Sequence, residues 1–192
     1  MPFTVDAFVP AAGRAESILP LDTVKAHLAV ELDVTEFDDL LALFRDAAVE
    51  EVEGRTGLLL AETSGLVWRG DFPARGRIDL ARGPVVAVES IGYLNGDGAP
   101  LALESDRFVV RRGGTGLESL WGWPTGVRAG SVEIAFTAGF ADGACPRPLI
   151  QAALMLCGHY FLNREAVVAG SGGIELPLGV SSICDRYRGV SI

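Results

Sequence analysis

The sequence predicts an α+β fold: a small helical bundle of N-terminal and C-terminal helices packed together, carrying an inserted antiparallel β-sandwich or barrel-like segment. Three observations lead there. Apolar residues recur at helical spacing before Gly57 and again after Pro148. Between them lie short β-prone runs separated by Gly-rich turn signals. The last long helix is apolar over most of its circumference, so it must sit in a core shared with the first helices. The predicted boundaries are an N-terminal arm over 1–20, a helical domain made of 21–62 plus 145–192, and an inserted β domain over 63–144.

Residues 1–18 carry few periodic signals and read as a loose lead-in. After Pro20, Leu21, Val24 and Leu28 fall at helical spacing, with Asp22 in the first turn. A second helix starts at Thr35 and Asp38, the spacing of a capping box. Its apolar face comprises Phe37, Leu40, Leu41, Phe44, Ala47, Ala48 and Val52, with Arg45 and Glu53 placed off it, and Gly57 ends it as a left-handed cap. The strand candidates are 66–68, 77–80, 85–88 with 90–93, 108–110 and 132–136. Asn95-Gly96 is read as a tight hairpin turn, and Val132, Ile134 and Phe136 alternate with Glu133. Pro148 opens the long apolar helix, which ends near Asn163-Arg164-Glu165. Gly170-Ser171-Gly172-Gly173 reads as a flexible linker, and Pro177 introduces a short terminal helix or arm.

Composition narrows the function classes. The chain has 192 residues, is 49% hydrophobic and 21% charged, and carries a net charge of −9. Its only lysine is Lys25. A protein gripping nucleic acid through phosphates needs clustered cations, so this balance predicts a surface that DNA passes without adhering. Three widely spaced cysteines (Cys145, Cys157 and Cys184) fit a reducing compartment better than a disulfide framework. No secretory signal or membrane-length apolar run is visible, which predicts synthesis in the cytoplasm and no membrane association.

Candidate chemistry is sparse. The histidines are His27, placed on the surface of the first helix, and His159, placed in packing on the long one. Cys157-Gly158-His159 invites a zinc reading, but residues two apart on a helix diverge by about 200° and no second pair of ligands accompanies them. Gly170–Gly173 lacks the strand and the Gly-Lys-Ser/Thr context of a phosphate loop. Asp38-Asp39 and Glu50-Glu51 read as solvated helix faces. Trp121-Gly122-Trp123-Pro124 reads best as a plug for one end of the β domain, with a sugar- or peptide-binding platform as the alternative. No catalytic residue, metal ligand set or cofactor site is predicted, and the chain is read as a non-enzyme.

The order of motifs carries a resemblance. Leu21 to Leu28 precede an acidic turn and a helix ending Val52-Glu53-Gly54-Arg55-Thr56-Gly57. Ile78-Asp79-Leu80-Ala81-Arg82-Gly83-Pro84-Val85 leads to Val88-Glu89-Ser90-Ile91-Gly92-Tyr93, followed by Trp123-Pro124 and Val132 to Phe140. Pro148 then opens a helix ending His159-Tyr160-Phe161-Leu162-Asn163-Arg164-Glu165, and Leu176 to Val180 and Arg186-Tyr187-Arg188 close the pattern. In this order the chain resembles the head–tail connector (adaptor) family of long-tailed phages and prophages, including the adaptor of alphaproteobacterial gene transfer agents. The resemblance spans roughly residues 20–188. It implies a structural ring, commonly of twelve copies, beneath the portal protein and above the next neck or stopper protein, with DNA passing through its channel. It also places the chain first in the cytoplasm and then in the particle neck. On that reading the segment from Pro177 reaches the portal through Ile183, Arg186, Tyr187 and Arg188. A β-sandwich module binding a ligand or partner through the Trp121/Trp123 loop is the competing function. A small metal-assisted hydrolase around Cys157 and His159 is a remoter one.

Overall fold

Among the described residues helical periodicity becomes five helices, and the β-prone runs become two antiparallel sheets. The computed structural model describes residues 4–5, 13–111, 114–164 and 177–188. Most of the predicted N-terminal arm, the Gly170–Gly173 linker and residues 189–192 lie outside the described residues. The chain divides into a β unit, Met1–Val9 with Gly57–Phe140, and a helical unit, Pro10–Thr56 with Ala141–Ile192.

In the helical unit the elements are α1 (Arg14–Ile18), α2 (Leu21–His27), α3 (Asp38–Thr56), α4 (Arg147–Leu162) and α5 (Leu178–Tyr187). The 19-residue α3 packs on α4, and α2 and α5 lie against both. Leu41, Phe44, Ala48 and Val52 supply its buried stripe, as their spacing requires. On α4, which packs against α3, Leu149, Ala153 and Leu156 are buried in turn. Phe44 lies 6.3 Å from Tyr160 between ring centroids. Gly158 lets α2 come close, because a Cβ there would sit 3.3 Å from His27 Nε2.

The buried face of α3 is wider than its apolar pattern. Arg45 and Glu53, expected on the solvent side, are buried. The cause is α1, which covers that flank. Arg14 of α1 pairs with Glu53 of α3, and Glu16 of α1 pairs with Arg45, which also holds Asp46 at 2.8 Å. Residues 14–19 are therefore not a loose lead-in: Arg14–Ile18 is helical and Leu19 is core. Periodicity could not reveal this, since the attachment is made by charges across 39 and 29 positions of sequence. Lys25 closes the α2–α3 turn from within. Its ammonium reaches Asp38 at 2.6 Å and the carbonyls of Val34 and Leu32 at 3.0 and 3.2 Å.

The first sheet of the β unit has the order β1 (Thr4–Val5), β2 (Thr63–Gly70), β8 (Val132–Ala138), β4 (Val85–Leu94), β5 (Pro100–Ala102). The second runs β3 (Arg77–Asp79), β7 (Gly116–Ser119), β6 (Phe108–Val110). Leu66, Trp68, Ile134 and Phe136 of the first and Ile78 and Leu117 of the second belong to one hydrophobic cluster. Among the described residues neither sheet closes into a barrel. β8 is central and pairs Ile134 with Trp68 on one side and Ile91 on the other. The Asn95-Gly96 turn differs from a two-residue hairpin. The Asn95 side-chain carbonyl accepts from the backbone N–H groups of Asp97 and Ala99, and the positive φ falls on Gly98. At the end of β8, Gly139 (φ 119°) is required, because any Cβ would collide with the carbonyl of Ala61.

Removing one member of a buried ion pair leaves the other uncompensated. Glu53→Ala should therefore lower unfolding stability by about 3 kcal/mol, and Arg14→Leu with Glu53→Leu together by clearly less. Chemical denaturation of the three proteins checks this.

Candidate interaction surfaces

The two tryptophans of the Trp121–Pro124 loop part company. Trp123 is 8% exposed, its indole N–H donates to the carbonyl of Gly76 at 2.9 Å, and its ring stacks on Phe72 at 5.3 Å and 13°. Phe72 in turn meets Tyr93 edge-on at 5.4 Å. Trp123 is therefore packed into the hydrophobic cluster of the β unit, whereas Trp121 is 75% exposed. Gly122, at φ 90°, provides the left-handed turn that sends the two rings different ways. Next to Trp121 in sequence, Leu120 is also exposed, and its N–H donates to the carbonyl of Arg107.

The four residues assigned to portal contact lie at the end of α5. Val180 and Cys184, four apart, face the helical core, while Ile183 and Tyr187 form a half-buried flank. Arg186 is exposed. Arg188 follows the helix, and its Nε–H donates to the carbonyl of Arg55, just where α3 ends. A cation there is favoured by the negative end of the helix. The terminal segment is thus a helix seated on its own unit over Leu178–Tyr187.

A third surface was not singled out by sequence. Residues 16–54 contain eleven carboxylates and only two cations, Lys25 and Arg45. Both cations are buried in ion pairs. The exposed side of this stretch therefore bears negative charge alone. On α3, Asp39, Leu43, Asp46 and Glu50 fall on one exposed stripe, and Leu43 is 61% exposed. The readable signal was Leu43 itself, an apolar residue off the core periodicity.

The two histidines sit on different helices. His27 is exposed on α2. His159 Nδ1 lies 3.4 Å from the amide nitrogen of Asn163, and its Nε2 is buried without a hydrogen-bond partner among the described residues. Among the described residues no group of three or more His, Cys, Asp or Glu is placed to hold a metal ion. None of the described helices is long and apolar enough to cross a membrane. Burial pushes the Cys145 thiol up to about 11, with Glu53 adding to the effect. Burial does the same to Cys157, up to about 11 against the pull of Arg45. Cys184 is raised as well, again mainly by burial.

No family model matches the sequence, and no curated protein matches it. Solved structures do. A chain of the virion of the native gene transfer agent (GTA) particle is 25% identical, with a TM-score of 0.69 over 100% of this chain and 97% of that one. A chain of the neck of the empty GTA particle, computed with C6 symmetry, is 26% identical, with a TM-score of 0.71 over 100% and 97%. A chain of the neck of the native GTA particle, computed with C12 symmetry, is 25% identical, with a TM-score of 0.69 over 98% and 97%.

The thiols supply a direct check on burial. Raised values keep them protonated at pH 8, so a disulfide reagent should modify the native chain slowly and all three cysteines at once in guanidinium. Unfolded thiols ionise from pH 9 while Cys145 and Cys157 hold their protons to about 11. Stability should accordingly fall as pH rises through that window, and a flat alkaline limb in a denaturation series would contradict it.

The resemblance carried by the order of the motifs is therefore also one of fold: from end to end, the chain is similar to chains of the gene transfer agent particle, two of them from its neck.

Proposed function

We infer that the chain is a structural head–tail adaptor of a gene-transfer-agent-like or phage-like particle. One copy contributes to a homo-oligomeric ring, of twelve copies, joining the portal to the next neck protein. The observation that carries this is the whole-length likeness to chains from GTA necks with C6 and C12 symmetry. The residues agree with it. An adaptor works by contact and not by turnover, and what this chain offers outward is an exposed tryptophan, an anionic helix face and a basic-tipped terminal helix.

The exposed carboxylates outside the α3 stripe, Asp22, Glu31, Asp33 and Glu36, suit a DNA channel. Carboxylates facing a duplex repel its phosphates, so DNA slides past without lodging. Arg186, with the Ile183 and Tyr187 flank, is the proposed contact to the portal. Because α5 is seated by Val180 and Cys184, that contact uses its outer side and leaves the helix in place. The ligand-binding module is the weaker reading: with Trp123 packed inside, a single exposed ring remains and not a two-ring platform.

Cells producing such particles but lacking this chain should release DNA-filled heads and free tails that do not join, visible by electron microscopy. Supplying the Arg186→Glu chain should restore fewer joined particles than the native chain. Normal joined particles in the absence of the chain would overturn the adaptor reading.

A further inference from the structure

We propose that the Leu120–Trp121 tip of one copy docks, head to tail, on the α3 stripe around Leu43 of a second copy. The inference rests on the ring reading and names the surfaces that make the ring. Trp121 exposes most of its ring on a fixed stem, since Trp123 is bonded to Gly76 and stacked on Phe72, and Leu120 is bonded to Arg107. A large aromatic held rigidly in water binds with little ordering entropy to lose, and tryptophan with arginine is the composition of interface hot spots. The tip has that arginine: Arg75, beside Gly76, is exposed, as is Arg107, which sits beside the exposed Glu104 and Asp106.

The receiving surface matches in both respects. Leu43 gives an apolar centre, and Asp39, Asp46 and Glu50 surround it along one helix face. No exposed cation between residues 16 and 54 competes with an incoming arginine. Apolar centre meets apolar centre while cations meet carboxylates, which fixes orientation as well as contact. The two surfaces are different patches, one on each unit of the chain. A contact between unlike patches leaves each copy with one of each still open, and repeating it through a closing rotation makes a ring.

Trp121→Ala and Leu43→Asp alter exposed side chains, and unchanged circular dichroism and thermal unfolding establish that both variants fold. Sedimentation over a range of concentrations at low salt should show each self-associating at least about tenfold more weakly than the native chain. The decisive sample is the mixture. The intact tip of Leu43→Asp meets the intact stripe of Trp121→Ala, so the mixture should stop at a one-to-one dimer. Native-like association of either variant overturns the proposal, as does a mixture that forms no dimer. Loss of duplex DNA binding in Trp121→Ala, with self-association unchanged, would assign the tip to nucleic acid and overturn it too. A native chain that stays monomeric at millimolar concentration yet occupies particle necks defeats this pairing and leaves the adaptor reading standing. Absence from the necks defeats the adaptor reading itself.

Discussion

Arg14, Lys25 and Arg45 are buried in the helical unit, and each lies against a carboxylate: Glu53, Asp38 and Glu16. A buried charge without its partner is costly, so these pairs admit one arrangement of α1, the α2–α3 turn and α3. Arg14 and Arg45 act crosswise, since α1 gives a cation to α3 and receives one from it. The surface follows from the same constraint. Cations drawn inside cannot neutralise the outside, and the helical stretch from residue 16 to residue 54 is left with exposed carboxylates only. One device thus holds the fold and sets the charge that neighbours or DNA meet.

The β unit answers a different demand. The strands of its second sheet have only three or four residues, so that sheet is held by the cluster both sheets share and by side chains that lock loops onto it. Trp123 is such a lock, and its stacking on Phe72 leaves the neighbouring Trp121 nowhere to go but outward across Gly122. Exposure of a large ring is the consequence of a fixed turn, and a neck protein surrounded by neighbours is a setting where such exposure has a use.

Periodicity made much of this legible. The stripe of α3, its end at Gly57, the apolar α4 after Pro148 and the alternation of β8 are written in spacing, because each depends on residues close in sequence. What spacing missed depends on distant pairs. Burial of Arg45 and Glu53 needed α1, whose few residues carry no pattern. The order of the second sheet pairs β3 with β7 across some forty residues. The division between Trp121 and Trp123 turned on the carbonyl of Gly76. The surfaces were therefore harder to read than the core: a core residue repeats, whereas an interaction residue stands by itself.

The central claim is that this chain builds a ring on a portal. It is tested most directly by the mass of the purified chain mixed with portal rings of its own particle. The account predicts a single larger species whose added mass equals a closed ring of copies, twelve if the symmetry of the native GTA neck carries over. Portal rings that keep their mass at any excess of the chain would contradict it.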